Sequence, residues 1–120
     1  MAWKAILTAS AEHDIEAINE FLFQTQHHEF GHDIASADQL ARIRVRRIID
    51  NIHRITNTPH VGAPIKTRTR LFRRVTFDRT TYWYSTDDAL ETVQFYAIFT
   101  EGQDHFSRFM NRLTENGEAG

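Results

Sequence analysis

Residues 70–84 read RLFRRVTFDRTTYWY, and residues 92–106 read TVQFYAIFTEGQDHF. These two runs decide the fold, because they are the most β-like part of the chain. In 71–77, Leu71, Val75 and Phe77 share one parity with Arg73, while Phe72, Arg74 and Thr76 share the other. Period two is the signature of a strand with two distinct faces. Asp78-Arg79 reads as a turn, 80–86 as a second strand with Tyr82 and Tyr84 opposite Trp83, and Asp87-Asp88 as the next turn. In 92–100, Val93, Phe95, Ala97 and Phe99 alternate with Gln94, Tyr96 and Ile98, which predicts a third strand. The three make an antiparallel meander that Gly102 ends. Residues 104–113 then predict a short closing helix with Phe106, Phe109, Met110 and Leu113 on its apolar face.

Working outward, the sequence before the meander is helical. Residues 3–8, WKAILT, read as a short N-terminal strand. Thr8 or Ser10 can cap a helix over 11–24, whose first turns hold Glu12, Asp14 and Glu16. Ile15, Ile18 and Leu22 form its apolar stripe, widened by Phe21 and Phe23. Residues 24–35 read as a polar connection. Ser36 and Gln39 have the spacing of a capping box, predicting a second helix over 36–57. Leu40, Ile43, Ile48, Ile52 and Ile55 are its apolar positions, with Val45 and Ile49 at the margins, and Pro59 and Gly62 stop it. The two helices form an antiparallel hairpin. The expected class is α+β: N-terminal strand, helix hairpin, three-stranded antiparallel meander and short C-terminal helix. It forms one domain over 1–113, followed by a disordered tail over 114–120.

At 120 residues the chain can bury a core without covalent staples. It has no cysteine, which excludes disulfides and thiolate metal sites and fits a reducing cytoplasm. The start of the chain has no apolar run of signal-peptide length, and no stretch has the length of a membrane span. The expected location is the cytoplasm, with no membrane partner.

Charge is unevenly placed. Of the 14 basic residues, 11 fall within 42–79, against only Asp50 and Asp78, and each flank carries 7 acids. A basic middle between acidic flanks suits a phosphate or an acidic protein partner, and equally a solvated helix face with a charge-guarded strand edge.

His28-Glu29-Phe30-Gly31-His32 spells H-E-x-x-H, and Asp38 stands where a third ligand would fall. A zinc hydrolase needs that motif on a firmly packed helix. The stretch here lacks an apolar stripe, carries a glycine inside the motif and continues into Asp33. With seven histidines in the chain, the match is read as accidental, and neither a metal nor a cofactor is expected.

The order of elements, with MAWKAILTASAEHDIEAI at the start, the Pro59 to Gly62 turn, LFRRVTFDRTTYW and FYAIFTEGQDH, resembles the RelE/ParE superfamily of bacterial toxins, in its ParE-like plasmid-stabilisation branch. Phe30-Gly31 falls where that branch has a Phe-Gly pair. The resemblance implies a growth-arresting toxin neutralised by a cognate antitoxin, present as a dimer or a toxin–antitoxin hetero-oligomer. It implies one of two targets: DNA gyrase, which ParE-like members poison, or messenger RNA on the ribosome, which RelE-like members cleave. An inactive binding module of the same fold is a further alternative.

Metal-free RNA cleavage needs a base, an acid and fixed cations for the developing phosphorane charge. Arg73, Asp104 and His105 are the catalytic candidates, and Lys66, Arg70, Arg79, Trp83 and Gln103 the candidates for binding target or phosphate. RelE-like nucleases carry a basic residue at the end of the final strand, where this chain has Thr100 and Glu101. Gyrase poisoning needs only a binding surface, and arginine with aromatic anchors suits one. That makes gyrase the expected target.

Overall fold

The computed structural model describes residues 3–100 and 105–115, the side chains of 105–107 and 115 excepted. The sheet order is β1-β5-β4-β3-β2. It is built from β1 (Lys4–Leu7), β2 (Ala63–Lys66), β3 (Leu71–Phe77), β4 (Thr80–Asp87) and β5 (Thr92–Thr100). The helices are α1 (Ala9–Gln24), α2 (Ile34–Asn57) and α3 (His105–Glu115). β1 lies parallel to β5, and every other pairing is antiparallel. The expected α+β order holds, with one strand more than the meander reading gave. β2 escaped that reading because it is four residues long and contains Pro64, a residue that strands admit only at an edge.

Local chemistry sets the boundaries. Thr8 caps α1 by accepting a hydrogen bond from the Ala11 N–H at 3.1 Å. The α2 cap is Asp33, not Ser36: Asp33 Oδ1 accepts from the Ser36 N–H at 2.7 Å, and the helix starts two residues before the capping-box reading. That bond holds the Asp33 carboxyl below its usual pKa. The β3–β4 turn puts Asp78 and Arg79 at φ 54° and 64°, the left-handed pair that matches hairpin twist. The Asp87 Oδ1 accepts from the Leu90 N–H at 3.0 Å in the β4–β5 turn.

Both faces of the sheet are covered. On one, α1 and α2 pack Ile18, Ile48, Ile52 and Ile55 against Tyr82, Tyr84, Val93, Phe95 and Ile98. On the other, α3 packs Phe109 and Leu113 against Phe72, Trp83, Tyr96, Ala97 and Phe99. Trp83 and Phe109 stack with ring centroids 4.3 Å apart.

The clean alternation expected along β5 is broken. Trp83 pairs with Ala97 and Tyr84 with Phe95, so Tyr96 is an extra residue in β5. Beyond it parity flips. Ala97 and Phe99 join the α3 side, and Ile98 joins Val93 and Phe95 on the hairpin side. Because both faces are apolar, the sequence pattern alone does not reveal the flip.

The helix stripes also differ from expectation. α2 buries Ala37, Ala41, Ile48, Asn51, Ile52, Ile55 and Thr56, leaving Leu40, Ile43 and Ile49 exposed. Phe21, assigned to the buried stripe of α1, is 67% exposed. α1 runs on into a π-helical turn, Thr25–Glu29, within the expected connection. His28 and Glu29 lie in that turn, and Gly31 at φ 71° separates them from His32. The H-E-x-x-H residues are therefore not on the α-helical turn that zinc ligation at that spacing requires. Thr114 and Glu115, assigned to the tail, belong to α3. Gly102 and residues 116–120 lie outside the described residues.

Candidate partner-binding groove

Arg73 lies on β3, pointing to the helix-hairpin side. Its guanidinium donates to the carbonyls of Gly62 at 2.9 Å and His60 at 3.3 Å. The Gly62 N–H donates to the Tyr84 hydroxyl at 2.9 Å, so strand and loop are tied together twice. Burial raises the Tyr84 hydroxyl above its ordinary pKa. Arg73 thus holds the loop that leads into β2: both bonds come from Nη1, while its Nε is buried without a partner among the described residues.

Trp83 is fully buried beneath Phe109, with the Arg74 guanidinium 5.5 Å from its ring centroid. It is a core residue of the α3 side. Lys66 ends the edge strand β2, and Arg70 closes the β2–β3 turn, where the Thr67 N–H donates to the Arg70 carbonyl at 3.0 Å. The Arg70 guanidinium donates to the Tyr96 hydroxyl. Arg79 stands at the other end of β3, roughly 25 Å away by strand rise. Gln103, Asp104 and Glu101 lie outside the described residues, and His105 is the first residue of α3. Of the described candidates, Lys66 and Arg70 therefore fall at one end of β3 and Arg79 at the other, with Arg73 and Trp83 in packing roles.

One of them, Arg79, borders a groove of about 630 Å³. Ile18 and Leu22 of α1 and Ile98 and Phe99 of β5 line its apolar part, with the exposed Phe21 beside them. Arg44, Arg79 and Arg108 bring three guanidinium groups to it from α2, the β3–β4 turn and α3. Arg44 is fixed by donating to the Asp78 carbonyl at 2.7 Å and to Thr80 Oγ1 at 3.0 Å. The Arg108 guanidinium sits 4.7 Å from the Phe99 ring centroid. Behind them, Asn51 Nδ2 donates to Asp78 Oδ2 at 3.0 Å and to the Tyr82 hydroxyl at 3.2 Å. Burial pushes the Tyr82 hydroxyl up to about 12.

Asp14 also lines the groove. Its Oδ2 accepts from Arg112 at 2.7 Å and from the Ile98 N–H at 3.0 Å, and its Oδ1 accepts from Arg112 at 2.9 Å. Arg112 also donates to the Tyr96 carbonyl at 3.1 Å. This bidentate pair joins α3 to α1 across the end of β5.

Chemically, the groove is an apolar trough with fixed positive charge at its edges. It suits an amphipathic segment with an apolar face and acidic flanks. Sequence reasoning singled out neither Arg108 nor Asp14, and reached Arg44 only as part of the basic segment 42–79 that suits an acidic partner. Asp14 left a usable signal, since it is an acid on the apolar side of α1, between Ala11 and Ile18.

No sequence-family profile and no curated protein matches the chain. Solved structures do. A chain of the toxin–antitoxin complex RelBE2 from Mycobacterium tuberculosis aligns with a TM-score of 0.59 at 12% identity, over 86% of this chain and 95% of that one. A chain of the chromosomal ParDE TA system from P. aeruginosa aligns with a TM-score of 0.61 at 14% identity, over 83% of this chain and 97% of that one. The chain has the α+β fold of the RelE/ParE type.

Proposed function

We propose that this chain is the toxin of a toxin–antitoxin module, that its antitoxin inserts an acidic amphipathic segment into the groove, and that the free toxin arrests growth in the cytoplasm by binding DNA gyrase. The observation that carries the reading is the groove itself. An apolar trough edged by Arg44, Arg79 and Arg108 stands on a fold whose solved neighbours come from toxin–antitoxin complexes. Two placements favour binding over RNA cleavage. Arg73 Nη1 is bonded to the carbonyls of His60 and Gly62 inside the fold, and Lys66 with Arg70 stands at the far end of β3 from Arg79. No helix among the described residues is long and apolar enough to cross a membrane.

Induced expression in bacteria tests the first part. Growth is expected to stop, and co-expression of the small neighbouring reading frame is expected to restore it. Harmless expression at high level would sink the reading. Purified protein added to gyrase and plasmid DNA separates the mechanisms. Trapped gyrase–DNA cleavage complexes are expected. Transcript cleavage on ribosomes, with gyrase untouched, transfers the toxin to the messenger-RNA class.

A further inference from the structure

The two edges of the sheet differ in kind. β2 is blunted, because Pro64 lacks an N–H and Lys66 is exposed at the strand end. β1 ends the sheet on the other side and has neither a proline nor a charge at its centre. Its central residue, Ile6, is 40% exposed. Ala5 and Leu7 pack against the hairpin-side core, which puts Ile6 on the opposite face of the strand.

The ladder fixes which backbone groups are unused. The Lys4 N–H donates to the Glu91 carbonyl at 2.9 Å, and the Thr8 N–H to the Phe95 carbonyl at 3.1 Å. In a parallel ladder alternate residues turn both groups to the same neighbour. Even-numbered residues of β1 therefore face β5, and Ala5 and Leu7 turn their N–H and C=O groups to the open edge.

We propose that β1 is a dimerisation edge, at which two copies of this chain pair antiparallel about a two-fold axis through Ile6. The strand is self-complementary in that register. Ala5 of each copy faces Leu7 of the other, and both carry outward backbone groups, so they form a hydrogen-bonded pair. Ile6 meets its counterpart in the close, non-hydrogen-bonded pair, which removes an exposed apolar side chain from water. Lys4 falls opposite Thr8, so no like charges meet. The symmetry closes on two copies rather than propagating. A four-residue edge makes a small interface, so association is weak, with a dissociation constant on the order of 100 μM. The proposal is independent of the toxin reading.

Sedimentation equilibrium from about 5 to about 500 μM is expected to show the mass rising from monomer toward dimer. Ile6→Lys is expected to hold the chain monomeric throughout, because two ammonium groups would face each other on the axis. Ile6 belongs to neither core cluster, and an unchanged urea melt verifies that the variant is folded. A second variant needs no equilibrium. The chain has no cysteine, and the Ile6 pair has a Cα separation of about 4.5 Å, within disulfide reach. Under mild oxidation Ile6→Cys is expected to form a covalent dimer at least about tenfold faster than Glu16→Cys, whose thiol sits on the exposed side of α1. A mass that stays monomeric, equal rates for the two thiols, or a dimer that survives Ile6→Lys each overturns the proposal.

Discussion

Replacing Asp14 by alanine tests whether a single ion pair holds α3 on the sheet. Asp14 is 9% exposed, and its carboxylate takes three hydrogen bonds: two from Arg112 and one from the Ile98 N–H. Alanine leaves the Ile98 N–H buried without that acceptor, at a cost of about 1–3 kcal/mol. It also leaves the Arg112 guanidinium, 20% exposed, with the Tyr96 carbonyl as its remaining bond in this network. Breaking one side of a buried pair costs about 3–5 kcal/mol, and partial solvent access at Arg112 lowers that. The two terms overlap, so the expected loss is about 3 kcal/mol, a large fraction of a small domain's stability. Urea unfolding followed by tryptophan fluorescence measures it, because Trp83 stacks on Phe109 of α3 and reports its departure. Asp14→Ala, Arg112→Ala and the double variant form a cycle whose coupling is expected to exceed about 1.5 kcal/mol. A loss below about 1 kcal/mol for Asp14→Ala, or a coupling near zero, refutes the reasoning.

Three further outcomes follow from the same geometry. Gly62→Ala is expected to cost about 2 kcal/mol in urea unfolding, because its Cβ would lie 2.7 Å from the Tyr84 hydroxyl and 3.1 Å from the Arg74 carbonyl. Arg79→Glu is expected to weaken capture of the antitoxin by about tenfold or more in a pull-down titration, with a urea melt verifying that the variant is folded, since Arg79 lies on an exposed turn at the groove. Tyr82 titrates near 12 in the folded chain and near 10 when unfolded, because burial disfavours the phenolate against the opposing pull of Asn51 and Arg44. Its contribution is full below pH 10 and lost as pH climbs through 12, so Tyr82→Phe is expected to flatten that alkaline loss of stability, measured by thermal melts from pH 9 to pH 12.

The elements themselves were legible. Period two in 71–77 and 80–86, the turn at Asp78-Arg79, and the cap at Thr8 follow from local geometry and stand in the structure. What failed were assignments that depend on a neighbour. Leu40 and Ile43 fit the apolar spacing of α2, yet the hairpin closes on Ala37 and Ala41, whose small side chains are fully buried while the larger ones stay outside. β5 reads as uniform alternation, and the extra residue at Tyr96 is invisible where both faces are apolar. Arg73 and Trp83 have the residue types of a binding surface, but a loop carbonyl pair and a stacked phenylalanine occupy them.

The sequence by itself determined the class of the domain, the order of its helices and meander, and the concentration of positive charge between residues 42 and 79. Those are properties of local spacing and composition, which neighbouring residues set among themselves. Only the tertiary structure decided which charges act together. Arg44, Arg79 and Arg108 come from α2, a hairpin turn and α3, and they reach one groove only because α1 and β5 bring their supports to the same end of the sheet. Asp14 and Arg112 are 98 residues apart in sequence and 2.7 Å apart in space. No periodicity encodes such a pairing, since it depends on how two cores on opposite faces of one sheet are packed at once.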